Sequence, residues 1–186
     1  CDWSSDVCSS DLATIRAAGE TLLSGRLSGP EVSREYARLV VEQAKRLTRL
    51  LNNLLAYARM TEAPDPEQLE PSELAELVRI SLRDWRWQLE NGGFTLEGDV
   101  PVTLPRVRVD RTGFDLLLDN LIANAVAYAG ERRWIGLRAQ RQGAFVRLDV
   151  ADHGIGIPAD ELAHVTRKFF RGRRSIPGGS GLGLAI

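Results

Sequence analysis

The apolar positions in the first third of the chain follow a helical period. Residues 13–25 are good helix formers, and Leu27-Ser28-Gly29-Pro30 then supplies turn residues and a proline suited to the start of a second helix. In the second segment apolar residues recur every three or four positions: Val32, Tyr36, Leu39, Val40, Ala44, Leu47, Leu51, Leu54 and Ala58. The pattern predicts a helical hairpin that forms a bundle or a dimer, with packing inside a monomer as the alternative.

A change of period marks a second region. Ala63-Pro64-Asp65-Pro66 ends the periodic helix, because each proline lacks a donor and favours extended geometry in the residue before it. Beyond this boundary, Ser72 is the predicted N-cap of a helix that stops at Asn91-Gly92-Gly93. A second helix is predicted from about 112 to 129. The predicted strands cover residues 94–96, 107–109, 134–138 and 145–150. This region is therefore predicted to be mixed α/β, with helices covering a sheet.

The first twelve residues differ from the rest. Both cysteines, Cys1 and Cys8, lie here, and the segment has no helical or strand period and no targeting-peptide layout. We interpret residues 2–12 as translated adapter sequence fused to the reading frame, with a native segment lacking regular structure as the alternative. On the first interpretation the native part has no cysteine, so it can form neither a disulfide nor a thiolate metal site.

The charge balance limits the partners of the chain. It has 24 Lys and Arg against 25 Asp and Glu, a formal net charge of −1, so no global field attracts nucleic acid or an anionic membrane. The apolar runs fall short of the roughly 20 residues that a membrane-spanning helix needs. We predict no nucleic-acid and no membrane contact, and only local phosphate chemistry.

The first candidate site lies on the predicted helix after Asp110. Asn120 and Asn124 are four residues apart and therefore project from one face of the helix. An amide oxygen can bind Mg²⁺ that substrate phosphates already hold, and an amide nitrogen can donate to a phosphate oxygen. Inert or capping asparagines are the alternative interpretation.

The second candidate site follows the last predicted strand, at Asp152-His153-Gly154-Ile155-Gly156-Ile157. The two glycines allow the backbone to approach a flat ligand. An ionised carboxylate only accepts hydrogen bonds, so Asp152 can accept one from the exocyclic amine of adenine and would repel the carbonyl oxygen of guanine. The pattern favours ATP over GTP, with a local turn cap by Asp152 as the alternative.

The third candidate site places basic residues, Lys168-Phe169-Phe170-Arg171-Gly172-Arg173-Arg174, before a glycine-rich loop. Main-chain N–H groups that converge ahead of an apolar helix can bind a triphosphate, and a basic segment can close over it. A plain glycine-rich linker is the alternative. The sequence lacks a P-loop and a dinucleotide fingerprint, and His153 and His164 lack the partners of a zinc site.

Taken in order, these sites resemble four motifs of the sensor histidine kinases of two-component signalling. The N, G1, F and G2 boxes of that family resemble residues 119–128, 152–156, 168–171 and 179–184. The resemblance implies an α+β chain with a dimerisation and phosphotransfer hairpin over residues 13–62. A two-layer α/β sandwich of the Bergerat (GHKL) type with a mixed sheet is implied over residues 67–186, after a non-native leader at 1–12.

The resemblance also implies ATP and Mg²⁺ as ligands. Asn124 is expected to bind Mg²⁺ and Asn120 to assist at the phosphates, and Tyr128 is expected to border the base. The implied ATP-binding residues are Asn120, Asn124, Tyr128, Asp152, Gly154, Gly156, Ile157, Lys168, Phe169, Arg171, Gly179, Ser180, Gly181, Leu182, Gly183 and Leu184.

Departures from the family pattern change the activity that we expect. Ala127 replaces a lysine or histidine of many members, and Thr166 replaces the first phenylalanine of the F box. The phosphoacceptor histidine expected before Ala13 is absent, so the chain is expected to hold no catalytic residue and to bind Mg-ATP without autophosphorylation. A final helix and strand are expected to be missing after residue 186.

The resemblance implies that the parent protein transfers the γ-phosphoryl group of ATP to a histidine and thence to an aspartate of a response-regulator receiver domain. The parent is expected to be an inner-membrane sensor that dimerises through the hairpin, with this chain as a cytoplasmic portion. Another GHKL ATPase and a non-catalytic nucleotide-binding or dimerisation module are the alternatives. The upstream hairpin disfavours the first, and Ala127 favours the second.

Overall fold

The computed structural model describes residues 3–25, 29–59, 69–175 and 181–185, and it divides into two compact units, Cys1–Leu55 and Ala56–Ile186. The predicted turn at Leu27-Ser28 and the proline stop at Ala63-Pro64-Asp65-Pro66 lie outside the described residues. Among the helices that are described, none combines the length and the apolar character needed to cross a membrane.

The first unit is a hairpin of two helices, α1 (Trp3–Leu23) and α2 (Pro30–Arg59). The predicted start of α2 at Pro30 is confirmed, since proline suits the first helical turn. The absence of a helical period from the first twelve residues was misleading, because the main chain is already helical from Trp3. No glycine or proline lies between residues 3 and 18, so the helix of residues 13–23 extends backwards without a local stop signal.

Part of the predicted apolar stripe of α2 remains accessible to solvent. Leu51 and Leu54 belong to that stripe and are 51% and 52% exposed, and the neighbouring Leu55 is 57% exposed. Leucines left exposed together on one helix are typical of a surface that another chain covers.

In the second unit, the described residues from 69 onward form two helices and five strands. They are β1 (Glu70–Ser72), α3 (Leu74–Asn91), β2 (Thr95–Asp99), β3 (Val107–Val109), α4 (Arg111–Ala127), β4 (Trp134–Gln142) and β5 (Phe145–Asp152). Strand β1 pairs with β3 in the antiparallel sense. The larger sheet has the order β2-β4-β5, in which β2 and β4 are parallel and β4 and β5 are antiparallel. The prediction of a mixed sheet is confirmed.

The core of this unit lies between α3, α4 and the larger sheet. On α4 the buried apolar residues recur at helical spacing, whereas on β4 they alternate with exposed residues after Leu137. Leu118, Ile122 and Ile135 are almost completely buried. A hydrogen bond of 2.8 Å from Trp85 Nε1 to Asp119 Oδ1 ties α3 to α4. The helix that carries the candidate asparagines is therefore fixed on its core side.

Helix α3 ends where its glycines predict. Gly93 has a φ of +67°, which glycine adopts without strain. The N–H of Phe94 donates to the carbonyl of Leu89 at 2.9 Å and the N–H of Gly93 to that of Glu90 at 3.2 Å. These two bonds form a Schellman motif, which turns the chain toward β2.

The predicted N-cap of α3 was wrong. Ser72 is the last residue of β1 and pairs with Val107, and its hydroxyl donates to the carbonyl oxygen of Glu70 at 3.3 Å. Glu73 occupies the N-cap position without a side-chain capping bond. Pairing with a strand distant in sequence has overridden the local capping preference of serine.

Helix α4 begins at Arg111 and ends at Ala127, two residues before the predicted end. The carboxylate of Asp110 caps it, because Asp110 Oδ1 accepts from the N–H of Thr112 at 3.1 Å and Oδ2 from that of Gly113 at 3.2 Å. Both bonds satisfy donors that have no partner inside the helix.

We expect Asp110→Ala to lower the free energy of unfolding by about 1 kcal/mol, because it removes this cap. Asp110→Asn is the matched control, since its amide oxygen can still accept one of the two bonds and it should lose clearly less. Urea denaturation of both variants measures the difference. Equal losses would show that charge and not capping accounts for the effect.

Candidate functional site

The end of α4 meets the turn that follows β5. Tyr128 closes α4, since its N–H donates to the carbonyl of Asn124 at 2.9 Å. Its own carbonyl oxygen accepts from the N–H of Ile155 at 3.0 Å. Two of the sites found in the sequence, the asparagine helix and the Asp152 turn, are thereby joined through their main chains.

The Asp152 turn is built so tightly that only glycine fits in its middle. A Cβ at Gly154 would overlap the carbonyl oxygen of Tyr128 and lie 2.8 Å from Asp152 Oδ1. Asp152 Oδ1 accepts from the N–H of Gly154 at 2.8 Å, so the local cap considered as an alternative is present. The carboxylate is nevertheless exposed at the end of β5, which leaves its second oxygen available to a ligand.

Helix α4, which carries the two asparagines, also contacts the glycine-rich segment, of which residues 181–185 are described. Asn120 is 5% exposed, and a Cβ at Gly183 would lie 3.3 Å from its Oδ1. The neighbouring Leu182 is buried, whereas Leu184 is exposed. Asn124 is half-buried one turn further along α4.

The glycine-rich segment in turn contacts the basic segment. Gly181 has a φ of +68°, and a Cβ there would lie 2.7 Å from both the carbonyl carbon of Phe169 and the carbonyl oxygen of Phe170. Lys168 and Phe169 are exposed, and Arg171 is half-buried. The four predicted boxes are therefore linked in pairs by direct contacts within the described residues.

The predicted helix start beside the phosphates was wrong for the described residues. The apolar helix expected after the glycines is not present in residues 181–185, which form a single turn closed by the N–H of Ala185 and the carbonyl of Leu182 at 3.0 Å. A single hydrogen-bonded turn does not compensate for the conformational entropy that is lost when a helix is nucleated. Gly179 and Ser180 lie outside the described residues, and Gly156 and Ile157 are exposed in the turn after β5.

The sequence did not point to a buried carboxylate beside the basic segment. Glu161 is 7% exposed, and its Oε1 accepts from the main-chain N–H of Arg173 at 3.1 Å and from Nε of the same residue at 3.0 Å. The hydrogen bond from the main-chain N–H of Arg173 lowers the pKa of Glu161 most, and the bond from the Arg173 guanidinium lowers it further. Its ionised form therefore stabilises the fold at neutral pH, and this contribution is lost as the pH falls through the lowered pKa. In the sequence, the acidic pair Asp160-Glu161 and the basic pair Arg173-Arg174 could have indicated this contact.

Two family comparisons match most of the chain. Residues 10–63 match the His Kinase A (phospho-acceptor) domain, and residues 109–186 match the histidine kinase-, DNA gyrase B-, and HSP90-like ATPase family. A mycobacterial sensor histidine kinase of known structure, MprB, is 30% identical, with 63% of this chain and 74% of that chain covered at a TM-score of 0.53.

The chain belongs to the sensor histidine kinases. The alginate biosynthesis sensor protein KinB of Pseudomonas aeruginosa is 32% identical over 89% of this chain and 28% of KinB. The sensor-like histidine kinase SenX3 of Mycobacterium tuberculosis is 31% identical over 84% of this chain and 38% of SenX3. The chain thus spans about a third of the length of these two relatives. The predicted family and the predicted α+β fold are confirmed.

Proposed function

We propose that this histidine kinase chain binds Mg-ATP at the junction of its four boxes, as the nucleotide-binding part of a protein that phosphorylates a histidine. The observation that supports this most is the pair of contacts made by α4. Its end is bonded to the Asp152 turn through Tyr128, and Asn120 lies against Gly183. One helix thereby borders both the segment proposed for the base and the segment proposed for the phosphates.

Asp152 is proposed to select the base. Its Oδ1 is already bonded to the N–H of Gly154, so Oδ2 would accept from the exocyclic amine of adenine. Tyr128, half-buried at the end of α4, is proposed to border the ring. The remaining proposed contacts to the nucleotide are Gly156, Ile157, Phe169, Leu182 and Leu184, together with Gly179 and Ser180, which lie outside the described residues.

The phosphates are proposed to lie beside Asn120 and Asn124. Their amide oxygens are neutral, hard donors, which suit a Mg²⁺ ion whose charge the phosphates largely balance. When bound, Mg²⁺ would neutralise charge on the transferred phosphoryl group. Lys168 and Arg171 are proposed to add positive charge, and the main-chain N–H groups of the glycine-rich segment are proposed to orient the γ-phosphate.

The hairpin is proposed to pair with a second copy in the full-length protein, which is supported by the exposed Leu51 and Leu54. We place the hairpin at residues 13–62 and the ATP-binding domain at 67–186.

Residues 13–62 contain no histidine, so this chain is proposed to bind ATP without phosphorylating itself. A receiver-domain aspartate of a response regulator is proposed as the final acceptor, and the chain as a cytoplasmic portion of an inner-membrane sensor.

We expect Asn124→Ala to lower the affinity for ATP about tenfold in the presence of Mg²⁺ and clearly less in its absence, because one ligand of the proposed ion is removed. Isothermal titration with and without EDTA measures both values. Asn91→Ala is the matched control, since the Asn91 amide bonds only the carbonyl of Trp87 among the described residues. An unchanged response to Mg²⁺ would count against the proposed site.

A further inference from the structure

Residues 172–175, which follow the F box, are attached to the chain just after the Asp152 turn. This attachment consists of Glu161 and its neighbours on one side and residues 172–175 on the other. Glu161 itself is 7% exposed, and both of its hydrogen bonds from Arg173 end on Oε1. One of these donors is a main-chain N–H, so the bond fixes the path of the backbone and not only the position of a side chain.

Further contacts tighten the same attachment. A Cβ at Gly172 would overlap Glu161 Oε2, so the backbone there passes directly against the carboxylate. The guanidinium of Arg173 also pairs with Asp160. The next residue, Arg174, donates from its guanidinium to the carbonyl of Ile155 at 3.1 Å, and Ile155 belongs to the Asp152 turn itself.

The basic segment needs such support, because its backbone is strained. Phe169 has a φ of +61°, a conformation that is unfavourable for a bulky residue and persists only where the surroundings impose it. The backbone at Gly181 lies so close to the main chain of Phe169 and Phe170 that a Cβ would not fit between them. The Glu161 attachment holds residues 172–173 immediately after them.

We infer that Glu161 is a positioning residue for the proposed phosphate contacts of Lys168 and Arg171. This inference rests on the proposed function. Glu161 binds Arg173 near the end of the basic segment, residues 168–174. Only one residue separates Arg173 from Arg171. A fixed backbone at 172–173 keeps the cationic segment in place before ATP arrives, so less ordering is needed on binding. A ligand without phosphates gains nothing from this preorganisation.

The test compares two ligands, Mg-ATP and adenosine, by titration against the full chain. We expect Glu161→Ala to weaken Mg-ATP about tenfold while leaving adenosine unchanged, so the ratio of the two affinities falls about tenfold. Glu161→Gln is the conservative variant, because its amide oxygen can still accept both bonds from Arg173, and it should restore most of the ratio. Glu73→Ala is the control, since it removes an exposed carboxylate that pairs with Arg106 at 3.3 Å, and it should leave the ratio unchanged.

The possible outcomes separate the two proposals. A fall in the ratio for Glu161→Ala, with recovery in Glu161→Gln, supports the positioning role. An unchanged ratio, including equal losses for both ligands, overturns that role while leaving the proposed ATP site intact. If the unsubstituted chain binds neither ligand, the proposed function is wrong and the role of Glu161 falls with it. If Glu161→Ala does not fold, Glu161→Met decides, because its side chain fills a similar space without accepting either bond from Arg173: a ratio below that of Glu73→Ala supports the role, and an equal ratio overturns it.

Discussion

Asp152→Asn is expected to lower the affinity for ATP about a hundredfold, roughly 2.7 kcal/mol. The amide oxygen can keep the bond that Gly154 N–H now donates to Asp152 Oδ1, which preserves the turn. The amide nitrogen then faces the exocyclic amine of adenine, so two donors oppose each other where a donor and an acceptor met. The same nitrogen can donate to the carbonyl oxygen of guanine, and the preference for ATP over GTP should therefore shrink or reverse.

Competition titrations with ATP and GTP measure both effects. Asp149→Asn is the matched control, because it removes an equal charge from the same strand, where Asp149 pairs with Arg147 at 2.6 Å. That variant should bind ATP as the unsubstituted chain does. If Asp152→Asn retained full affinity and selectivity, Asp152 would be only a turn cap.

Gly154→Ala is expected both to destabilise the second unit, by about 1–3 kcal/mol, and to abolish measurable ATP binding. The added methyl group would overlap the carbonyl oxygen of Tyr128, and that atom is main chain that cannot rotate away. The contact between α4 and the Asp152 turn must then open, which separates the two segments proposed to hold the base.

Thermal unfolding and ATP titration together test this expectation. Gly98→Ala is the control, since Gly98 lies in β2 with open space around its Cβ position and without a positive φ. Its melting temperature and its ATP affinity should stay close to those of the unsubstituted chain. A stable Gly154→Ala variant that binds ATP normally would contradict the close approach to Tyr128.

Local patterns in the sequence were sufficient for the features that depend on local physics. The stripe of α2 and the glycine stop of α3 follow from spacing and propensity. Both helices were predicted to within a few residues. The binding roles given to Asp152 and to the asparagine pair, which rest on side-chain type and helical spacing, stay predictions.

Features that depend on contacts between distant residues were missed. Strand β1 has only three residues, and its pairing with β3 displaced the predicted cap at Ser72. Glu161 and Arg173 are twelve residues apart in irregular chain, where no period relates their positions. The turn at residues 183–185 was overestimated as a helix, because an apolar ending after glycines is equally compatible with a single turn.

The parallel pairing of β2 with β4 has a consequence for the order in which the chain acquires its structure. Among the described strands, β4 is the sole partner of β2. The paired residues Thr95 and Trp134 are separated along the sequence by β3 and all of α4. During synthesis β2 therefore stays unpaired until β4 has left the ribosome, while the hairpin of β4 and β5 can form at once from neighbouring residues. Because long-range pairing closes a large loop before it gains contacts, docking of β2 is expected to limit the folding rate of this unit.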